Sequence, residues 1–241
     1  MPFRTFTLAE AAAYLHLEPD ALEELARRGE VPCERQGRRL TFIHKDIDEW
    51  ASRRLLGLPD ARISDFHRRS FSDALDFSPD AAILPTLTRP AWISTALSCR
   101  SKPGLISEMA TLADATELVS DPADLLASLE EREKLCSTAL PGGFALLHPR
   151  HHQPYMFLDP FIVAARTIGQ IHFGAPDGQP TDIFFLICCP DDRLHLHVLA
   201  RLCMMAHHTT LLDDLRAAAT PRDFHSALLA SEAQVLQQTQ P

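Results

Sequence analysis

Residues 172–202 read HFGAPDGQPTDIFFLICCPDDRLHLHVLARL, and this stretch decides the fold class. Ile183 to Cys189 is a continuous apolar run bounded by Pro180 and Pro190. Such a run suits a strand buried on both faces, and it is far short of the roughly 20 residues that span a bilayer. Asp191 or Asp192 can cap a helix that starts directly after it. Val198, Leu202 and Met205 share one face of that helix. Asp177-Gly178, ahead of the strand, reads as a turn whose glycine supplies a positive φ. Turn, buried strand and capped helix in that order indicate an α/β unit.

The pattern extends in both directions. DPADLLASLEEREKL (121–135) predicts a helix over Pro122–Leu135, with Leu125, Leu129 and Arg132 at helical intervals. A Gly/Pro turn at Pro141–Gly143 leads into an apolar strand, Phe144–Leu147. Phe161–Ala165 and Ile171–Phe173 read as two further strands. Thr95–Val119 carries helical spacing, broken near its start by Lys102-Pro103-Gly104. A last helix spans Pro221–Gln237, with Thr220 as cap and proline at its first position, and Gln237–Pro241 reads as a frayed tail.

The first 55 residues have a different organisation. Thr7 and Glu10 have capping-box spacing, and Leu8, Ala11, Ala12 and Leu15 follow on one face of a short helix. A second helix, Pro19 to Arg28, turns Leu22 and Leu25 inward and stops at Gly29. Val31–Arg35 and Arg38–Phe42, joined by Gln36-Gly37, signal a hairpin. A third helix, Lys45 to Arg54, buries Ile47 and Trp50. Two helices at a tight turn, a hairpin and a helix make a winged helix-turn-helix. Residues 56–82, rich in Asp, Ser and Arg without a sustained period, read as a linker.

Composition narrows the function classes. Hydrophobic residues are 46% and charged residues 23%, ordinary for a globular chain. The first residues lack the basic and apolar regions of a signal peptide, and no run is long enough to insert in a membrane. The six cysteines fall into no CxxC or framework spacing, so reduced thiols in a cytoplasmic protein are expected. A net charge of −9 argues against non-specific coating of nucleic acid but leaves room for a local basic patch.

Three segments of residues 83–232 resemble the IIA domain of the fructose/mannitol/nitrogen branch (type 2) of the bacterial phosphotransferase system. LEEREKLCSTALPGGFALLHPR (129–150) is similar to the active-site stretch, where a Glu-rich helix leads through Ser/Thr and a glycine turn to the phosphorylated histidine. Ser137-Thr138, Gly143 and His148 fall in that pattern. HFGAPDGQPTDIFFLICCPDD (172–192) resembles the loop-and-strand motif, and LHLHVLARL (194–202) the helix with the second functional histidine, His195. Ala139 and Pro141 stand where the family usually has Gly, and Leu147 where it has Pro, all at the acceptor loop. The resemblance implies an α/β domain with a mixed sheet flanked by helices. Residues 233–241 would form a tail.

The same resemblance implies the chemistry. His148 would accept a phosphoryl group from an HPr-like phosphocarrier, without a metal, nucleotide or other cofactor. A neutral imidazole is a suitable nucleophile near pH 7, since its unperturbed pKa is about 6.5. Phosphoryl transfer needs groups that neutralise the equatorial oxygens. His195, in the first turn of its helix, could donate to such an oxygen, helped by the helix's positive pole and free N–H groups. Arg150 could add a further positive charge. For a histidine taken alone a surface or core role is the commoner explanation, and His151, His152, His197, His207, His208 and His225 keep it. His148, His151 and His152, or His195-Leu196-His197, could suggest zinc, but no set of about four converging ligands is evident. Cys188-Cys189 read as small apolar residues of a strand.

LAEAAAYLHLEPDALEELARRGEVPCERQGRRLTFIHKDIDEW (8–50) resembles excisionase-type DNA-binding domains related to the MerR group. A DNA reader needs cations for phosphates and a helix for the major groove. Arg27 to Lys45 hold an excess of positive charge, and Arg35, Arg38 and Arg39 on the wing are the candidate contacts to duplex DNA. Glu23 and Glu24 on the second helix oppose this, so a protein-binding or dimerising winged helix is the rival. Together the two halves suggest a regulator in which the state of His148 reaches a DNA-binding domain. The first alternative is a phosphoryl carrier serving a separate IIB or regulatory target protein, with the N-terminal domain as adaptor. The second is a binding module whose acceptor loop has lost the chemistry.

Overall fold

A computed structural model describes residues 5–15, 17–37, 39–44, 46–47, 50–51, 81–150 and 156–239. Arg38, His151, His152 and almost all of the expected linker lie outside these residues. The chain divides into two compact units, Met1–Asp76 and Phe77–Pro241.

In the first unit the capping box forms as expected. Glu10 N–H donates to Thr7 Oγ1, and Thr7 N–H to Glu10 Oε2 at 2.8 Å, at the start of α1 (Leu8–Tyr14). α2 (Pro19–Arg27) follows and buries Leu22, while Leu25 is half-buried. The hairpin is shifted toward the C-terminus of its predicted place: β2 is Glu34–Gln36 and β3 Arg39–Ile43. A strand that local pattern does not mark, β1 (Thr5–Thr7), pairs antiparallel with β3 and gives the order β1-β3-β2. Phe6 opposes Phe42, and both are buried with Ala11, Leu15, Leu22 and Ile47. His44, Asp46, Ile47, Trp50 and Ala51 are helical, and the Trp50 indole donates to the Glu30 carbonyl. Trp50 is half-buried, where full burial was expected.

The second unit is a five-stranded mixed sheet flanked by helices, in the order β4-β7-β8-β6-β5. Its strands are β4 (Ile93–Leu97), β5 (Ala139–Leu140), β6 (Phe144–Leu147), β7 (Phe161–Ile171) and β8 (Thr181–Cys188). Ile183 to Ile187 are all essentially inaccessible, as a strand buried on both faces requires. On one face Ala145, Leu147, Val163, Phe184 and Leu186 pack with Leu105 and Met109 of α4 (Lys102–Asp114) and Leu125 and Leu129 of α5 (Pro122–Leu135). Phe144, Leu146, Ile162, Ile183, Phe185 and Ile187 alternate to the other face and are equally buried. Helices α6 (Asp192–His208), α7 (Leu211–Ala217) and α8 (Pro221–Thr239) complete the unit, with a one-turn helix α3 (Leu84–Leu87) at its start.

Several expectations need correction. Thr95–Leu97 is not helical. It belongs to β4, which runs parallel to β7 with Ile93 opposite Ala164. Helix α4 starts only after Ser101, whose Oγ accepts from Gly104 N–H. The two strands expected at 161–165 and 171–173 are one strand, with a register shift between Arg166 and Ile171, and Phe173 lies beyond it. Gln237 and Gln238, expected to fray, are helical in α8. The topology then sets the site. β6 and β8 are adjacent and parallel, with Leu147 opposite Leu186, so they end on the same edge of the sheet. His148 follows the end of β6, and α6 begins just beyond the end of β8. Such edges are where open α/β sheets carry their sites.

Candidate functional site

His148 lies at that edge, only 2% exposed, and the ring of His195 packs against it with centroids 4.7 Å apart. His195 is in the first turn of α6 and is fully buried. The two rings were expected at one site from separate segments, and the parallel pairing of β6 with β8 brings them together.

The partners of His148 define its protonation. Arg132 Nε lies 2.9 Å from His148 Nε2, and a guanidinium only donates, so Nε2 must hold a lone pair. His148 Nδ1 lies 2.9 Å from the Leu146 carbonyl oxygen, which only accepts, so Nδ1 carries the proton. This arrangement is the neutral imidazole, with its lone pair on Nε2. Arg132 also donates from Nη1 to the Cys136 carbonyl at 3.1 Å, and its buried Nη2 has no hydrogen-bond partner among the described residues. A buried guanidinium with an unspent N–H beside an imidazole lone pair can receive an anion.

Arg132 is the residue that sequence reasoning missed. Its helical interval with Leu125 and Leu129 marks a shared helix face and no function, and all three are buried. A charge on a core-facing stripe was the available signal, because arginine is almost never fully buried unless paired.

The remaining candidates sit as follows. Arg150 is directed to α5: its backbone N–H donates to Ser128 Oγ, and its Nη1 lies 3.5 Å from Glu131. The start of α6 is less open to an anion than expected. Asp191 Oδ1 accepts from Leu194 N–H, and the Asp191 carbonyl from His195 N–H. Arg35 and Arg39 are exposed on the hairpin. Arg35 opposes Leu40 while Arg39 opposes Gln36, so the two arginines stand on opposite faces of the ribbon. On α2, Glu24 pairs with both Arg27 and Arg28, while Asp20 and Glu23 are exposed. The Cys188 and Cys189 thiols are pushed up from the ordinary range by burial, which disfavours a reactive thiolate.

Comparison with known proteins agrees with this architecture. The family model "Phosphoenolpyruvate-dependent sugar phosphotransferase system, EIIA 2" matches residues 86–231, and "Helix-turn-helix domain" matches residues 5–55. A nitrogen regulatory protein of Bradyrhizobium diazoefficiens is 32% identical over 145 residues, 59% of this chain and 92% of the relative. The crystal structure of the nitrogen regulatory protein IIA-Ntr from Neisseria meningitidis superposes with a TM-score of 0.51 at 26% identity. It covers 58% of this chain and 94% of its own. The Escherichia coli enzyme IIA for mannitol, solved in complex with phosphorylated IIB, has a TM-score of 0.52 at 17% identity and shares the fold. The match covers 60% of this chain and 96% of that one. With residues 86–231 of 241 matched, the chain belongs to the EIIA 2 family of the phosphoenolpyruvate-dependent sugar phosphotransferase system.

Proposed function

We propose that this chain is a cytoplasmic regulator that accepts a phosphoryl group on Nε2 of His148 from an HPr-like phosphocarrier. Its phosphorylation state would then govern DNA binding by the N-terminal unit. One observation carries the reading: the His148 lone pair faces the Arg132 guanidinium, and the His195 ring packs against the same imidazole. The Nε2 lone pair attacks phosphorus as the bond from phosphorus to the donor's imidazole nitrogen breaks, and that nitrogen recovers its electron pair. The Nδ1 proton stays hydrogen-bonded to the Leu146 carbonyl throughout. Arg132 exchanges its bond to Nε2 for bonds to phosphoryl oxygens as the lone pair is consumed. A preorganised cation acts strongly in so buried a site. Arg150 could add positive charge only by leaving Glu131, 3.5 Å from its Nη1.

The test is labelling with phosphoenolpyruvate, the general phosphotransferase enzyme and HPr. One acid-labile phosphoryl group per chain is expected, and none on His148→Ala. Undiminished labelling of that variant rejects the assignment. A second reading, a carrier serving a IIB or target protein with the N-terminal unit as adaptor, is favoured by α2. Glu24 holds Arg27 and Arg28, and Asp20 and Glu23 are exposed, a poor surface for phosphates. Recovery of a specific DNA site from a genomic fragment selection supports the regulator; capture of protein alone supports the carrier.

A further inference from the structure

Both nitrogen atoms of His148 are held by routes that meet at one buried carboxylate, Glu133. The first route is short. Arg132, which holds Nε2, precedes Glu133 in the last turn of α5, so whatever anchors one fixes the backbone of the other. The second runs through the sheet. His148 Nδ1 is bonded to the Leu146 carbonyl, and Leu146 N–H donates to the Thr138 carbonyl at 3.1 Å. Thr138 then gives Glu133 two bonds, from its N–H at 3.0 Å and its Oγ1 at 2.7 Å.

Glu133 is itself secured from a third direction. Lys102 Nζ, in the first turn of α4, lies 2.8 Å from Glu133 Oε1. The carboxylate is 4% exposed and the lysine 31%. Lys102 also donates to the Phe173 carbonyl at 3.0 Å, and so does Ser137 Oγ at 2.9 Å. The loop after β7 is thereby drawn against the turn before β5. The approach is close at Gly174, φ 102°, where a Cβ would come 3.2 Å from Ser137 Cβ. Two donors from Thr138 and one from Lys102 offset the cost of burying the charge, so the cluster is one rigid unit.

We propose that Glu133, with Lys102 as its counter-ion, is the positioning residue of the acceptor. It holds the Arg132 guanidinium on Nε2 and the Leu146 carbonyl on Nδ1, which keeps the attacking lone pair in one orientation and one tautomer. The inference rests on His148 as the acceptor. It goes further by assigning the acceptor's geometry to a residue that touches neither imidazole nor phosphate. A carboxylate that only stabilised the fold would alter melting behaviour and leave the tautomer alone.

The experiment uses the full chain with 15N-labelled histidine, as wild type, Glu133→Gln and Thr138→Val. Imidazole 15N shifts of His148 are read first, then single-turnover phosphorylation by phospho-HPr over a range of donor concentrations. Wild type should show one protonated Nδ1 and one unprotonated Nε2. Both variants should shift toward a tautomer average. Their maximal rate should fall by up to about a hundredfold, with half-saturation by donor unchanged, because misplacement of reacting atoms and not docking is affected. If Glu133→Gln keeps the wild-type 15N pattern and maximal rate, the proposal is overturned. Thr138→Val decides the same point should Glu133→Gln fail to fold. If wild type itself takes no phosphoryl group, the acceptor reading fails, and the 15N comparison still decides whether Glu133 orients His148.

Discussion

Arg132 donates from Nε to Nε2 of His148 across 2.9 Å, so a guanidinium covers the nitrogen whose lone pair would attack phosphorus. Arginine can give up that bond and still hold the Cys136 carbonyl through Nη1 while its other N–H groups meet a phosphoryl group. Lysine has a point charge and no fork. Arg132→Lys should therefore keep its charge but lose about 10²–10³ in phosphorylation rate, as the loss of one oxyanion donor does elsewhere. Single-turnover labelling measures this, and a rate within twofold of wild type would reduce Arg132 to a structural role.

The His195 ring packs 4.7 Å from His148, centroid to centroid. His195→Ala should fold, and should be phosphorylated and dephosphorylated more slowly, by at most the roughly 2.7–4 kcal/mol that such a donor contributes. Rates are read in both directions. Unchanged rates in both would make His195 a packing residue only.

Glu232 is almost wholly buried and accepts from Ile83 N–H at 2.9 Å, Leu84 N–H at 3.1 Å and Arg201 Nη1 at 2.9 Å. Burial nevertheless pushes its carboxyl above the ordinary glutamate value, outweighing the lowering by these donors. The folded state thus binds this proton more tightly than the unfolded chain. The contribution to stability is complete below the unfolded value and is lost as pH rises through the raised one. Glutamine does not titrate, so the stability of Glu232→Gln relative to wild type should increase with pH across that window. Urea unfolding at several pH values between about 4 and 7 checks the sign. A relative decrease would mean that Arg201 holds the carboxylate ionised.

Arg35 and Arg39 flank the hairpin of the first unit on opposite faces. If the wing rests against a duplex, each can reach a different phosphate. Arg35→Ala with Arg39→Ala should weaken binding across all sequences and flatten the slope of log K against log salt by about 0.9 for each phosphate no longer neutralised. Preference among sites should stay. An unchanged slope would remove the wing from the DNA interface, and equal affinity with and without phosphate on His148 would separate the two units functionally.

Much of this fold was legible locally. Helix α5 runs Pro122–Leu135 as expected, because Asp121 caps it and Pro122 suits its first turn. β6 coincides with its apolar run, and β8 overlaps the run between Pro180 and Pro190. The capping box of α1 also follows from two residues three apart. These features depend on interactions within a turn or two of the chain, which is why a single sequence carries them. The resemblance of residues 129–150 and 194–202 likewise marks His148 and His195, whose rings are in contact.

The tertiary structure decided the rest. Ile93–Leu97 has no strong strand signal of its own and becomes β4 because β7 offers an open parallel edge. β1 exists only because β3 folds back to meet it. Arg132 read as part of a helix stripe, and its meeting with His148 requires α5 to pack across the end of β6. Glu133, Thr138 and Lys102 belong to three separate segments, and no periodicity within any of them marks the others. Local patterns record hydrogen bonds and faces along one element. The partners of a buried charge are chosen by how elements pack, and in this chain that packing determines which nitrogen of His148 holds the lone pair.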